Sequence, residues 1–398
     1  MRVLTINCGS SSARIAVHEV EGDEVNERAR ISCAKIGHKE ARIKLRVIGS
    51  NKAENWDYKL ETHHQAIHHL LYLLDSEHCL DHIEAVGHRF VHDGGLFDVP
   101  VFIGPAERAR LENAARFAPL HMPASLEGVE AAGVRLGQLP QIAVFDTHFH
   151  QDLPDLAQNT GLPRKLVSHP VRRYGFHGLS CEYVLGWFQS EGPVQLPSRL
   201  IVAHLGSGAS ATAILNGKSV DTTMGLTPLT GFPMATRAGD LDFGAALFVA
   251  ESSNMTVAEL RELLNEKAGL QGLSGMSGDM VELLECAPQS PPASHAIDYF
   301  CYHAAKQIAG LTVPLGGLDA IVFTGGIGAG SAEIRDRIRR RLSHFGFGVS
   351  GSGAGDAKTQ QAGATEAPQV FVVRSDENAI IARHVNRLVA GASPLRQI

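Results

Sequence analysis

The chain has 398 residues, of which 44% are hydrophobic and 20% charged, so it is long enough for two folded domains of ordinary composition. Its net charge of −6 gives no electrostatic support to a nucleic-acid partner. No stretch approaches the roughly 18 apolar residues of a membrane helix, the opening residues lack the apolar run of a signal peptide, and the six cysteines show no CxxC spacing. These features predict a cytoplasmic protein with reduced thiols that binds neither nucleic acid nor a membrane.

The first half of the chain begins with a strand–turn–strand pattern. Residues 3–6 predict a short apolar strand, residues 7–12 a turn of small residues, and residues 14–20 a second, antiparallel strand, with a third at 29–35. The apolar spacing at 60–75 predicts a helix. Residues 85–87 and 141–145 predict buried strands, each followed by polar residues where a site could form.

A similar pattern recurs about halfway along the chain. Residues 201–204 predict a strand, 205–210 a tight turn and 211–215 a second strand, so that Gly206 aligns with Gly9. A repeat at this long period indicates a duplicated domain rather than a solenoid, although strand–glycine turn–strand units are common enough for chance to remain an alternative. Further on, 320–323 and 370–373 predict strands, 286–294, 324–328 and 349–368 predict loops, and helices are predicted from 331 and at 377–390.

Three glycine- and serine-rich turns follow strands, at 7–12, 205–210 and 324–330. Small residues let backbone N–H groups approach phosphate oxygens, yet none of the turns has the Walker A or the dinucleotide spacing. The segments GHRFVH, VFDT, YGFHG and MATRAGD lie beside apolar strands and include the two arginines Arg89 and Arg237, together with Asp146 and His177. Arginine binds anions in a bidentate manner and a carboxylate positions magnesium-bound water, so this set predicts phosphoryl transfer.

These segments carry a resemblance to a known family. The motifs INCGSSS, GHRFVH, FAPLH, VFDTHFHQ, RYGFHG and FTGGIG, together with the long segment at 204–242, resemble those of the acetate kinase family in the same order, over essentially the whole chain. The resemblance implies an α/β fold of the actin–hexokinase (ribonuclease H-like) type, duplicated, with central mixed sheets flanked by helices and a cleft between two domains. It places an N-terminal domain at 1–150, completed by a helix at 379–398, and a nucleotide-binding and dimerisation domain at 151–378, in a homodimer.

The resemblance also implies a reaction and the residues that perform it. The reaction is reversible transfer of a phosphoryl group from ATP to acetate, giving acetyl phosphate and ADP, with Mg²⁺ (or Mn²⁺) and by direct in-line displacement. The implied catalytic residues are Arg89, Asp146, His177 and Arg237, and the implied magnesium residues are Asn7 and Glu377. The nucleotide and its phosphates are assigned to Ser10, Ser12, Arg14, His204, Gly206, Ser207, Gly208, Asp279, Gly326, Ile327 and Gly328. Arg89, Val91, Leu120, Phe176 and Pro228 are assigned to the acid.

Several alternatives stay open at this point. Propionate or butyrate could be the acid, because one methylene changes binding by only about 1–3 kcal/mol, and a phosphorylated aspartate or glutamate is the weaker mechanistic alternative. A sugar kinase or a non-catalytic relative with the same fold is a further rival. Among the nucleotide-binding residues the chain departs from the family pattern. The usual Lys is replaced by Arg14 and the usual Asn by Ser207, while Ala329-Gly330 replace a Glu-Asn pair and Val281 replaces an Arg. Neutral drift or a relaxed or altered phosphoryl donor would explain these departures.

Overall fold

The computed structural model describes residues 1–9, 11–37, 40–48, 53–137, 139–163, 171–346 and 367–392. Ser10 and residues 349–366 of a predicted loop lie outside the described residues. The chain divides into two compact units, one formed by Met1–His148 with Asp376–Ile398 and the other by Phe149–Ser375. Within the described ranges, no helix is both long and apolar enough to cross a membrane.

The first unit is built on an eight-stranded sheet with the order β5-β4-β3-β2-β1-β6-β8-β7. The central strand β1 pairs antiparallel with β2 and parallel with β6, which in turn is parallel to β8. The strands are β1 (Arg2–Cys8), β2 (Ser12–Glu21), β3 (Glu24–Ala34), β4 (Ala41–Val47), β5 (Ala53–Tyr58), β6 (Ala85–Phe90), β7 (Val101–Phe102) and β8 (Gln141–Phe145). The helices are α1 (His63–Ser76), α2 (Pro105–Ala114), α3 (Met122–Leu136) and the last helix of the chain, α13 (Glu377–Ala392).

Helices cover this sheet and bury its apolar residues. The helix predicted at 60–75 is α1, and the apolar positions that predicted it, Ile67, Leu70, Leu71 and Leu74, are fully buried in one cluster with residues of β1 to β4 and α3. The helix α13 packs against β1, β2, β3 and β6. It approaches β6 so closely that a Cβ atom on Gly87 would lie 2.5 Å from the side chain of Ile381. This packing attaches the start of α13 to the ends of the central strands.

The second unit is built on a five-stranded sheet with the order β11-β10-β9-β12-β13. Strand β9 pairs antiparallel with β10 and parallel with β12, and β12 is parallel to β13. The strands are β9 (Arg199–Leu205), β10 (Ala209–Leu215), β11 (Lys218–Thr222), β12 (Ala320–Thr324) and β13 (Gln369–Val372). The helices are α4 (Asp155–Gln158), α5 (Gly178–Ser190), α6 (Phe243–Ser252), α7 (Val257–Glu266), α8 (Gly269–Ser274), α9 (Met280–Cys286), α10 (Pro291–Leu315), α11 (Gly325–Gly330) and α12 (Ala332–Arg341).

The two sheets share one topology. In each, the central strand has on one side two strands that are each antiparallel to the neighbouring strand (β2 and β3, or β10 and β11), and on the other side two strands parallel to it (β6 and β8, or β12 and β13). The turn after Cys8 and the turn after Leu205 occupy equivalent places between the first two strands. The duplicated α/β fold predicted from the two strand–turn–strand patterns is therefore confirmed.

Two segments predicted as loops are helical. Residues 291–294 begin α10, because Ser290 caps it by accepting a hydrogen bond from the Ala293 N–H, and prolines at the first helical positions lack only N–H groups that a helix leaves unpaired. Residues 325–330 form the short helix α11, which follows β12 after Gly325 takes a φ of +77°. That backbone angle suits glycine and turns the strand directly into a helix.

Candidate active site

Four polar side chains meet in the first unit, three of them at the ends of β1, β6 and β8. The Arg89 Nε atom lies 3.0 and 3.1 Å from the two carboxylate oxygens of Asp146, and Arg89 Nη1 donates to the Asn7 Oδ1 atom at 3.1 Å. The Asn7 side-chain amide donates to the Glu377 Oε2 atom at 2.9 Å, and this carboxylate lies 3.9 Å from Arg89 Nε. Residues separated by up to 370 positions thus form one hydrogen-bonded cluster.

The charges of this cluster suit a divalent cation. Asp146 is fully buried. Burial opposes the charge on Arg89, but the Asp146 and Glu377 carboxylates outweigh it and raise the pKa of Arg89 above its ordinary value. Two carboxylates against one guanidinium leave a negative balance, and carboxylate and amide oxygens are the ligands that Mg²⁺ prefers. Asn7, Asp146 and Glu377 therefore fit a magnesium site, held directly or through water.

A residue that the sequence analysis missed supports this cluster. Asn378, the second residue of α13, accepts from the Asn7 side chain at 3.4 Å and donates to the Thr5 hydroxyl at 3.0 Å. Asn378 is buried. Its proximity to Asn7 follows only from the packing of α13 on the sheet, so no local pattern marks it.

The first small-residue turn is closed by its own backbone and by a histidine. The Gly9 N–H donates to the Ser12 carbonyl at 2.8 Å. A ring nitrogen of His63, in the first turn of α1, lies 2.8 Å from the Gly9 carbonyl oxygen, a second contact that sequence reasoning missed. Arg14 lies exposed on β2, in register opposite Asn7. Ser12 is thus part of the turn, whereas Arg14 is a neighbour on the adjoining strand.

Two stacked histidines lie in the second unit, each bound to a serine. The rings of His177 and His204 stack with centroids 4.1 Å apart. His177 Nδ1 lies 2.8 Å from the Ser210 hydroxyl, and His204 Nδ1 lies 2.9 Å from the Ser180 hydroxyl. The pairs are crossed: Ser210 stands opposite His204 in the β9–β10 ladder, and Ser180 is in the first turn of α5, which His177 precedes. Both imidazoles are thereby oriented through Nδ1.

Arg237 approaches the backbone of the second small-residue turn. A Cβ atom added to Gly208 would lie 2.6 Å from the Arg237 Nη2 atom and 3.4 Å from the His177 Nε2 atom. Arg237 is buried, and its Nη1 atom donates to the Pro228 carbonyl at 2.5 Å. Only glycine at position 208 lets these two side chains reach the turn, which explains the residue type at that place.

The second and third turns lie side by side. A Cβ atom on Gly206 would be 3.8 Å from the Gly326 nitrogen, so the backbones of 205–208 and of α11 adjoin. The Ser207 carbonyl accepts from the Ala235 N–H at 3.2 Å, which links this turn to the segment that carries Arg237. Asp279 caps α9 by accepting from the Val281 N–H at 2.8 Å. The Asp279 carboxylate is therefore hydrogen-bonded to the first turn of the helix that it caps.

The predicted acid-binding residues are divided between the two units. Val91 and Leu120 belong to the first unit, and Phe176 and Pro228 to the second. Phe176 is buried, and its carbonyl lies 3.0 Å from a ring nitrogen of His150, whose other nitrogen meets the Ser219 hydroxyl at 2.8 Å. Burial lowers the pKa of His150 to about 4, so His150 is a neutral residue that holds the Phe176 backbone.

Comparisons with known proteins show the family of the chain. The model of the acetokinase family matches residues 2–383. The chain belongs to the acetokinase family. An acetate kinase of Rhodopseudomonas palustris is 40% identical over 397 residues, covering 98% of both chains. One from Shewanella frigidimarina is 39% identical over 396 residues, covering 97% of this chain and 98% of that protein.

Solved structures of acetokinase-family proteins have the same fold. A propionate kinase from Francisella tularensis matches with a TM-score of 0.83 at 31% identity, covering 96% of this chain and 98% of that one. The acetate kinase of Porphyromonas gingivalis matches with a TM-score of 0.80 at 32% identity, covering 98% of this chain and 99% of that one. Membership of the acetokinase family makes this protein a phosphotransferase whose acceptor is a carboxyl group.

Proposed function

We propose that this protein is a cytoplasmic acetate kinase, which transfers the terminal phosphoryl group of ATP to acetate and forms acetyl phosphate and ADP reversibly. The observation that supports this most directly is the cluster in which Asn7, Arg89 and Asp146, at the ends of three parallel strands, meet Glu377 at the start of α13. The cluster combines one guanidinium with two carboxylates. Parallel strands of α/β sheets usually present ligand sites at this end. Propionate is the second candidate acid, because the solved relatives include a propionate kinase.

The chemistry requires positioning and charge stabilisation rather than a base. A carboxylic acid of this kind is already ionised at pH 7, so the nucleophile needs no proton removed. We assign Arg89 to the carboxylate and Arg237 to the transferring phosphoryl group, where a planar guanidinium can bind two oxygens at once. Transfer is then a direct in-line displacement, in which the acetate oxygen bonds to phosphorus as the bond to ADP breaks.

His177 is assigned to the phosphoryl oxygens as a neutral donor. If the Ser210 hydroxyl donates to Nδ1, the ring proton lies on Nε2, the atom that faces the backbone of Gly208. A donor fixed in this way stabilises developing negative charge without reorganisation. His204, anchored by Ser180, offers its own Nε2 in the same manner, beside the turn of Gly206, Ser207 and Gly208.

The proposal includes a magnesium ion, bound by side-chain oxygen atoms of the first unit. Asn7, Asp146 and Glu377 would hold Mg²⁺ (or Mn²⁺), which when bound neutralises charge on the phosphates. Glu377→Gln should raise the magnesium concentration needed for half-maximal turnover by about tenfold or more, because one of two carboxylates is lost. The matched control is Glu21→Gln at the exposed end of β2. An unchanged magnesium titration in Glu377→Gln would remove this residue from the site.

We assign most of the nucleotide-binding residues to the second unit, where Ser207, Gly208, Gly326, Ile327, Gly328 and Asp279 would bind the nucleotide and its phosphates. Ser12 and Arg14 on β2 of the first unit, and Ser10, which lies outside the described residues, are assigned to the same ligand from the sequence. Val281 replaces the arginine usual in the family and is 64% exposed, and a lost cation–π contact weakens adenine binding by about 0.5–2 kcal/mol. We therefore expect GTP to come within about tenfold of ATP in kcat/KM. Strict preference for ATP would show that other residues replaced the contact.

A homodimer is also proposed, through the surface of α6. This helix has no buried residue in the single chain, and Phe243, Leu247 and Phe248 are 81%, 59% and 69% exposed. An exposed apolar surface of this kind marks an interface. Leu247→Asp with Phe248→Asp should convert a dimer into a monomer in light scattering after gel filtration. A wild-type chain that elutes as a monomer at all concentrations would contradict the proposal.

One assay tests the central function. Purified protein with ATP, Mg²⁺ and a panel of acids should give an acyl phosphate that hydroxylamine traps, with acetate and propionate both active and longer acids weaker. Arg237→Ala should lower kcat by about 10²–10⁴, as for loss of an electrostatic donor, whereas Arg261→Ala on the exposed surface of α7 should not. A folded Arg237→Ala variant with normal turnover would overturn the assignment.

A further inference from the structure

A buried histidine of the first unit has no hydrogen-bond partner. His18 lies on β2 with 1% of its surface exposed, and neither of its ring nitrogens has a partner among the described residues. A buried polar group without a partner costs free energy, so such a group in a native structure calls for a ligand or a water. Burial also lowers the pKa of His18, which keeps the ring neutral at pH 7, the form that binds metals.

Two carboxylates lie beside this ring. A ring nitrogen of His18 and carboxylate oxygens of Glu27 and Asp376 all lie within 4.8 Å of one another. Glu27 stands opposite His18 in the β2–β3 ladder, directly after a shift of register between Val17 and His18. Asp376 immediately precedes α13. The backbone of a β-bulge and the entry to the last helix therefore hold the three groups in place.

Arg30 is a cation that competes for this cluster. The Arg30 guanidinium contacts both Glu27 and Asp376, and its side chain is 35% exposed, so it can leave towards solvent. With Arg30 present, the two carboxylates still outnumber the cation, and the neutral imidazole adds no charge. A divalent cation that replaced the guanidinium between the carboxylates would balance both charges and also supply the missing partner of His18.

We propose that His18, Glu27 and Asp376 form a binding site for a divalent transition cation of the zinc class, which displaces the Arg30 guanidinium. One imidazole with two carboxylates is a donor set that zinc accepts, and three protein ligands leave one position for water. Magnesium is disfavoured because a nitrogen ligand does not suit it. The site is separate from the cluster of Asn7, Arg89 and Asp146, although Asp376 adjoins Glu377 in sequence.

Binding to the metal-stripped full-length chain tests the proposal without any assay of turnover. Zn²⁺ is titrated against a chromophoric chelator in millimolar Mg²⁺, and Co²⁺ is added separately to record its visible spectrum. We expect one equivalent of Zn²⁺, a Co²⁺ spectrum without the sulfur charge-transfer bands that cysteine ligands give, and an affinity at least about 100-fold lower in His18→Gln. His64→Gln, on the exposed surface of α1, is the matched histidine control.

The arginine provides a second test that does not remove a ligand. Arg30→Gln should bind Zn²⁺ about tenfold more tightly, because the competing ion pairs are gone. Arg28→Gln is the control, since Arg28 pairs with Glu19 outside the cluster. Equal zinc affinity in wild type and His18→Gln, or in Arg30→Gln and Arg28→Gln, would overturn the proposal. If His18→Gln fails to fold, the comparison of zinc affinity between Arg30→Gln and Arg28→Gln still tests the proposal.

Discussion

Gly208→Ala would place a methyl group against the guanidinium of Arg237, and the size of the disturbance follows from the structure. The added Cβ atom would lie 2.6 Å from Arg237 Nη2, while an ordinary contact begins at 3.4 Å, so the two must separate by about 0.8 Å. Arg237 has little room to yield, because it is buried and its other terminal nitrogen is bound to the Pro228 carbonyl. The methyl group would also touch His177 Nε2 at 3.4 Å.

A displacement of this size should lower turnover strongly, and the added methyl group should also lower the free energy of unfolding by about 1–3 kcal/mol, as overpacking of a buried site does. Misplacing a catalytic group by about 1 Å can cost about 10²-fold in rate, so we expect kcat for acetyl phosphate formation to fall by about 30–100-fold. The hydroxylamine-trapping assay at saturating ATP and acetate measures this, and thermal unfolding measures stability. The control is Gly310→Ala in α10, where an added Cβ atom meets nothing within 4 Å. A folded Gly208→Ala variant with kcat within threefold of wild type would refute the placement of Arg237 at the reacting group.

Three further predictions concern orientation, packing and pH. Ser210→Ala removes the hydrogen bond to His177 Nδ1, worth about 0.5–1.5 kcal/mol, so kcat should fall roughly 2–10-fold; unchanged kcat would mean that other contacts orient the ring. Gly87→Ala drives a methyl group into α13 at 2.5 Å and should lower the free energy of unfolding by about 1–3 kcal/mol in urea; full stability would show that α13 can shift freely. Burial lowers the pKa of His88 to about 4, despite its bond to Gln141. The unfolded chain therefore takes up this proton first, and stability from this group, complete above about pH 6.5, is lost as pH falls towards 4, by about 1.4 kcal/mol per pH unit. Burial also lowers the pKa of His18 and His150, and these residues add slopes of their own. Urea titrations from pH 7.5 to 5 should therefore give a slope in His88→Gln that is smaller than that of wild type by about 1.4 kcal/mol per pH unit, and equal slopes would contradict this prediction.

Local patterns were sufficient for the central strands of both sheets and for the duplication, but they did not mark β4, β5, β7 and β11. The candidate site residues came from the resemblance to a family and not from local patterns. Alternating and continuous apolar runs mark β1, β2, β9 and β12 because the sheet buries those side chains, and small residues mark the turns because backbone must approach closely there. The order of motifs identifies the family. The patterns were wrong at 291–294 and 325–330, where proline and glycine were taken to interrupt helices. Proline also occurs at the first position of a helix, and glycine also occurs in the turn that precedes one.

Tertiary packing alone decided which of these residues meet. No local signal brings Asn7 to Glu377 and Asn378, since 370 and 371 positions separate them and only α13 lying on β1 and β6 joins them. The crossed pairing of His177 with Ser210 and of His204 with Ser180 likewise depends on strand register and on the placement of α5. The charge state of Arg89 and the neutrality of His150 follow from the same source, because burial and neighbouring charges exist only in the folded chain.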